Sequence, residues 1–350
     1  VDPGPLLAQR LTAQRLAGPP AENPLAATRH LLAVQAQDAR GARLAIRART
    51  PPDQTVAHFD RALTAERTLL VSWLCRGTLH LVAREDYHWL HALTTPPLRI
   101  GNARRLHQEG VSPGAADRAV AAIERSLAEE GPLSRIALRE RIEQAGIPVP
   151  GQALVHVLFR ATLDGVAVRG PVAGAQHLYA LAPDWLGPPP APLERDRALA
   201  ELARRYLIGH APAGERDLAR WAGLPLRDAR AGLGAIATYL VHRPDGLLAL
   251  RAAAPPAPLP PPRLLGPWDP VTVGWGDRSF VTGEHDARMI SGGLFRPFAL
   301  VNGRAAAVWR LSAGRVEIDP PFIPVSGEAR AELEADAAAV ERYFAGSERA

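Results

Sequence analysis

The sequence predicts an α+β, mainly helical protein: three tandem winged-helix (helix-turn-helix) motifs followed by a small β-rich C-terminal domain. Three observations predict it. In the middle of the chain, three helical segments are followed by a two-strand hairpin, the order of a winged helix. The same order returns after about 70–80 residues, an interval that suits a domain-sized unit and not a solenoid repeat. Beyond a proline-rich stretch the texture changes to short β-rich runs. At 350 residues the chain exceeds one ordinary core and suggests two or three domains.

The N-terminal third is the loosest copy. Helices are expected at 4–17, 24–34, 39–49 and 55–65, strands at "LLVSWL" and "GTLHLV", and a further helix at "REDYHWLHAL". In the middle copy, "AADRAVAAIERSLAEEG" sets Ala119, Ile123 and Leu127 at helical spacing. "PLSRIALRERIEQAG" and "GQALVHVLFRATLDG" are two shorter helices, each ended by glycine, and "VAVRG" and "HLYAL" pair as a hairpin. In the third copy, helices cover "ERDRALAELARRYLIGH", "GERDLARWAGL" and "PLRDARAGLGAIA", with Pro225 at a helix start. "TYLVHRPDGLLALR" is a hairpin turning at Asp245-Gly246. "PPAPLPPPR" is a linker, since its prolines fit neither a helix interior nor a central strand. After it, "RSFVTG", "FALVNGRAAAVWRL" and "RVEIDP" are expected as strands, with Asn302-Gly303 as a hairpin turn. "EARAELEADAAAVERYFAG" closes the chain as an amphipathic helix. The expected boundaries are 1–110, 111–190 and 191–254 for the winged helices, 255–262 for the linker and 263–350 for the β-rich domain with its closing helix.

Charge and composition narrow the function. There are 41 basic residues against 36 acids, a net charge of +5, and every basic residue is arginine. The excess is uneven: residues 1–110 carry 14 Arg against 9 acids and 191–262 carry 10 against 7, while the other segments are slightly acidic. That pattern suits a basic face for a polyanion, or ordinary surface charge. A chain without lysine forms no lysine Schiff base, which excludes lysine-dependent lyase, aldolase and pyridoxal chemistry, and it has no P-loop lysine. Its single cysteine, Cys75, makes no internal disulfide and fits a reducing cytoplasm. No long apolar window predicts a transmembrane helix, and "VDPGPLLAQR" lacks the pattern of a signal peptide.

No Cys-x-x-Cys or His-Glu-x-x-His pattern points to a metal. His88 and His91 are three apart in a helical stretch, but packed or surface histidines explain them better than ligands. Gly-x-Ser-x-Gly is absent, and "GLGAIA" follows no strand, so neither nucleophile elbow nor dinucleotide site is expected. In "WLCRGTLHLV", a continuous strand would put Arg76, Thr78 and His80 on one face, suited to a phosphate or ribose, or simply to solvent. In "LLAVQAQD", Gln35 and Gln37 stand two apart. Two such residues share a face only if the chain leaves the helix there, with Ala36 facing inward and Asp38 capping the next helix. Neutral amides donate and accept, so the pair would hold a water without deprotonating it; capping and solvation is the plainer alternative.

"LLAVQAQD", "CRGTLHLV", "LLGPWDPVTVGWGDRS" and "GGLFRPFALVNGRAAAVWRL" together closely resemble the bacterial winged-helix DNA glycosylases of the AlkZ/YcaQ family, from about residue 6 to residue 345. The resemblance implies three tandem winged helices and a β-rich C-terminal part, C-shaped around duplex DNA. It also implies removal of N7-alkylated purines and, in some members, unhooking of N7-linked interstrand crosslinks. The family's catalytic motif is Gln, an apolar residue, then Gln or Asp; here Gln35-Ala36-Gln37 resembles the AlkZ branch, which is associated with self-resistance to azinomycin-type alkylators in producing actinomycetes. The chemistry this implies is coherent with the residues. Alkylation at N7 makes the purine a cationic leaving group, so stabilising an oxocarbenium-like sugar and placing a water are what remain. Without lysine, base release would stop at an abasic site, the outcome of a monofunctional enzyme. A crosslinked base fits poorly in a closed flipping pocket, so an open site is expected.

Phosphate contacts are expected from Arg40, Arg43 and Arg47 near the glutamines, from Arg76 with Thr78 and His80, and from Arg296 beside the Gly292-Gly293 turn. The expected partner is duplex DNA with alkylated or crosslinked purines, bound by a cytoplasmic monomer with no metal, small-molecule cofactor or membrane. The competing expectation is a non-catalytic winged-helix DNA-binding protein or transcriptional regulator, in which replacing either glutamine would be inert.

Overall fold

The computed structural model describes residues 4–174 and 176–345. The chain divides into two units, one formed by residues up to Phe59 with those from Asp196 onward, the other by Asp60–Arg195.

The first unit begins with α1 (Gly4–Ala13), α2 (Pro24–Leu31), the short strand β1 (Ala33–Gln35) and α3 (Ala39–Arg47). α1 and α2 end earlier than periodicity suggests, because Arg15 and Leu32 take positive φ angles, 51° and 66°, that a helix cannot continue. Helices Arg195–His210, Glu215–Ala222 and Leu226–Ala235 then lead into a hairpin, Leu240–His242 with Leu248–Leu250, as the third copy predicts. Past the proline-rich segment, four antiparallel strands stand in the order Arg315–Ile318, Arg304–Ser312, Phe298–Val301, Arg263–Leu265.

Strand alternation gives this sheet two apolar faces. Leu265, Phe298, Leu300 and Val308 pack with Leu7 and Leu11 of α1 on one side. Leu264, Val301 and Trp309 pack with Leu44 of α3 and with Leu333 and Val340 of helix Gly327–Ala345 on the other. The Asn302-Gly303 turn joins the central strands, both residues at positive φ as such a tight turn requires. The expected strand "RSFVTG" is instead a short helix, Ser279–Thr282, with a 3-10 turn after it. The Asp277 carboxylate accepts the Ser279 N–H at 2.8 Å and its hydroxyl at 2.9 Å, which starts a turn where a strand would need a pairing edge.

In the second unit, helices Pro113–Glu130, Arg135–Gln144 and Ala153–Leu163 precede the hairpin Ala167–Ala173 with Gln176–Leu181. Ser112 and Ser134 accept the Ala115 and Ala137 N–H groups and so start the first two helices. Strands Leu69–Trp73 and Leu79–Ala83 form a second hairpin, and Val71 pairs with Arg169, so within this unit four strands run in the order 79–83, 69–73, 167–173, 176–181. Helix Pro96–Gln108 escapes the sequence pattern because it buries only Asn102 and Leu106. Among the described residues, no helix is long and apolar enough to cross a membrane.

Candidate active site

The two glutamines sit on an extended connector held at both ends by helix-terminating devices. Asn23 caps α2, its side chain accepting the Ala26 N–H at 2.9 Å, and Pro24 occupies the first turn. The helix breaks at Leu32, and Ala33, Val34 and Gln35 run as a strand. Asp38 then caps α3, its carboxylate accepting the Gly41 N–H at 2.6 Å. The segment between the glutamines has therefore left the helix, Ala36 is buried, and Asp38 starts the next helix. The two amides are not equivalent: Gln35 is 8% exposed, whereas Gln37 lies open to solvent.

α3 is anchored to the rest of its unit with little freedom to shift. A Cβ on Gly41 would stand 2.7 Å from the Pro267 carbonyl oxygen, so only glycine lets the helix lie this close to the 264–267 segment. Arg47 pairs with Asp336 at 2.7 Å, and Asp336 also accepts the Leu264 N–H. Arg49 is wholly buried and spends all its donors: two on Asp269 at 2.8 and 2.9 Å, one each on the Ala45 carbonyl, the Gln14 carbonyl and Gln14 Oε1. Gln14 in turn donates to the Gly209 carbonyl at 2.6 Å. Neither Arg49, Asp269, Gln14 nor Asp336 stands out as a site residue in the sequence. The one available signal is that Asp269 lies in "LLGPWDP", where an Asp before a proline marks a helix start.

The expected arginines fare differently. Arg40, in the first turn of α3, is exposed beside Gln37. Arg43 is buried, its guanidinium 4.9 Å from the Phe59 ring centroid and donating to the Ala39 carbonyl at 3.0 Å. Arg47 faces Asp336, so these two helix neighbours serve packing inside the unit. Arg296 is exposed after the hairpin Ile290–Ser291 with Leu294–Phe295, whose Gly292-Gly293 turn leaves Leu294 at 64% exposure.

Arg76, Thr78 and His80 belong to the second unit and do not share a strand face. The strand stops before Cys75, and Arg76 and Gly77 take left-handed angles, φ 59° and 71°, that close the hairpin with a 3-10 turn. Thr78 donates to the Cys75 carbonyl at 3.2 Å. His80 is 1% exposed, and burial, then the nearby Arg76 charge, hold its pKa down at about 3. Leu79, His80 and Leu81 are all buried, so both faces of the strand are covered, which alternation alone does not reveal. Burial pushes the Cys75 thiol up to about 11, so it is no nucleophile at neutral pH. His91 bonds the Thr162 carbonyl at 2.9 Å and packs on Tyr87, as does the His88 ring. Among the described residues, no group of three or more His, Cys, Asp or Glu side chains could hold a metal ion.

What this arrangement offers is a pair of neutral amides on a connector between two helices, with exposed Arg40 beside them. It suits orienting a water near a sugar–phosphate polyanion. The chain belongs to the AlkZ-like DNA glycosylase family, whose model matches residues 28–343. Its structure is similar to that of the Streptomyces sahachiroi DNA glycosylase AlkZ, with a TM-score of 0.75 and 23% identity over 97% of this chain and 96% of that one. No curated protein matches the chain.

Proposed function

We propose that this protein is a monofunctional DNA glycosylase that hydrolyses the N-glycosidic bond of N7-alkylated purines, including N7-linked interstrand crosslinks, using a water held by Gln35 and Gln37. The observation that carries it is the connector itself: the chain leaves α2 at Leu32 and re-enters a helix after the Asp38 cap, which sets Gln35 at the end of a short strand and Gln37 in the bend just before α3. Membership of the glycosylase family supplies the class of reaction. In the proposed step the C1′–N9 bond breaks and its electron pair returns to the cationic base, leaving an oxocarbenium-like sugar. The water oxygen bonds C1′ and its proton passes to solvent. A neutral amide oxygen orients that water without drawing its proton, which suffices only for a leaving group that already carries charge. The absence of lysine supports release of base without Schiff-base strand cleavage. Duplex DNA is taken to be gripped by a monomer with three winged helices, with Arg40 and Arg296 as phosphate contacts.

The test is incubation with duplex DNA carrying 7-methylguanine, following free base by mass spectrometry. Gln35→Ala and Gln37→Ala should each slow release about tenfold to a thousandfold, as loss of one transition-state hydrogen bond does. Release undiminished in the double variant would remove the glutamines from the mechanism. If neither this substrate nor an N7-linked crosslink loses base, the protein is a non-catalytic DNA-binding protein.

A further inference from the structure

The first unit contains a second concavity that the glycosylase chemistry does not use. It is a cleft of about 290 Å³ between the end of α1, His30 of α2, the end of helix Arg195–His210, the second strand of the Leu240–Leu250 hairpin and Ala252–Ala254 just before the linker. Leu207, Ile208, Pro212, Leu250 and several alanines make its walls apolar, and no carboxylate lines it. Of its four polar side chains, two are satisfied within the protein. Gln9 accepts from Arg243 at 2.6 Å, and Thr12 donates to the Ala8 carbonyl and accepts the Ala257 N–H.

The other two are Arg15, whose φ of 51° ends α1 and sets its side chain at the cleft, and His30. Arg15 Nη1 donates to the Pro20 carbonyl at 3.3 Å, and its guanidinium lines a cleft that has no carboxylate among its lining residues. His30 bonds the Ala13 carbonyl through Nε2 at 2.6 Å. A carbonyl only accepts, so Nε2 carries the proton and Nδ1 is an acceptor. Burial, reinforced by the charges of Arg15, Arg49 and Arg205, holds the His30 pKa at about 4, so the ring is neutral at physiological pH.

We infer that this cleft is a binding site for a small organic anion: a carboxylate on an apolar ring or chain that also carries one N–H or O–H donor. The carboxylate meets Arg15, the donor meets His30 Nδ1, and the apolar body fills the alanine- and leucine-lined space. Ligand pockets generally run upward from about 300 Å³, so the occupant is at the small end, about 10–15 non-hydrogen atoms. An inorganic anion would leave the apolar walls uncovered, and a neutral hydrocarbon would leave the Arg15 guanidinium facing the cleft without a counter-charge.

Indole-3-acetate has these three features and serves as the probe, titrated calorimetrically into the full-length protein. Saturable binding with a dissociation constant below about 1 mM is expected. 3-Methylindole, which keeps the ring and its N–H but lacks the carboxylate, should bind at least about tenfold more weakly, as should indole-3-acetate to Arg15→Gln. Ala253 is exposed at the rim, so Ala253→Trp should block the cleft while leaving the unfolding midpoint unchanged, and this variant keeps the test sound if Arg15→Gln misfolds. No saturable binding up to about 5 mM, equal affinity for 3-methylindole, or undiminished binding by Ala253→Trp would each overturn the assignment. None of these measurements depends on glycosylase activity.

Discussion

Replacing Asp269 with alanine removes the carboxylate that neutralises Arg49 inside the first unit. Both side chains are fully inaccessible to solvent, and the pair is bidentate, at 2.8 and 2.9 Å. Arginine keeps its charge under these conditions, so the variant buries an uncompensated guanidinium. Two charge-assisted hydrogen bonds are lost, each worth about 1.5–3 kcal/mol, which agrees with the roughly 3–5 kcal/mol seen when one member of a buried ion pair is removed. The Val271 N–H also loses its acceptor. Against a total stability of about 5–15 kcal/mol, this is a large fraction. Urea unfolding should therefore give Asp269→Ala a loss of about 3–5 kcal/mol with little change in m-value. Arg49→Met should also destabilise, and the double variant should lose less than the sum by about 2 kcal/mol or more, since each single change strands the other partner. A loss under about 1 kcal/mol, or strict additivity, would refute the buried-pair reasoning. Because Arg49 directly follows α3, release of base from DNA should fall in Asp269→Ala even at temperatures where the chain remains folded.

Gly41→Ala places a methyl group 2.7 Å from the Pro267 carbonyl oxygen and should cost about 1–3 kcal/mol by forcing α3 off the 264–267 segment, measured by the same denaturation. Arg40→Ala should weaken duplex binding several-fold and lower the slope of log affinity against log salt by about 1, read from titrations at several salt concentrations; an unchanged slope would remove Arg40 from the phosphate contacts. His30 and His80 are held neutral, with pKa values of about 4 and about 3. The unfolded chain takes up their protons near the free-histidine value of about 6.5, so their stability contribution is full above that pH and falls as pH drops toward 4. At pH 5 each should have lost about 2 kcal/mol. Unfolding free energies at pH 7.5 and pH 5 that agree within about 1 kcal/mol would contradict the buried, neutral assignment.

Helix and hairpin order from residue 113 to 250 was legible in the sequence because its signals are local. Apolar residues at helical spacing and closing glycines mark the helices, and Asp245-Gly246 and Asn302-Gly303 dictate tight turns. The glutamine connector was legible for the same reason. A polar pair two apart, followed by a capping aspartate, is consistent only with extended backbone if the pair is to act together, and the chain does leave the helix there.

Misjudged elements had signals that depend on neighbours distant in sequence. "RSFVTG" is apolar enough for a strand, but Asp277 captures Ser279 and turns the chain into a helix. Arg76, Thr78 and His80 alternate as a strand face would, yet Arg76 bends the backbone and His80 is covered on its own side of the strand. Arg43 and Arg47 look like a basic helix face. Phe59 and Asp336, 289 residues away from Arg47 in the second case, determine that both turn inward.

By itself, then, the sequence determined the helical order, the turns, the all-arginine charge and the Asp38 cap that starts a helix just after Gln37. These follow from backbone preferences and side-chain caps acting over a few residues. Only the tertiary structure decided that α1 and α3 pack on opposite faces of the C-terminal sheet, that Arg49 and Asp269 meet in the interior, and that Arg40 is left exposed while Arg43 and Arg47 are not. The reason is physical: which face of a helix is covered depends on close packing between segments hundreds of residues apart, and a buried charge reveals itself only when its partner is in place.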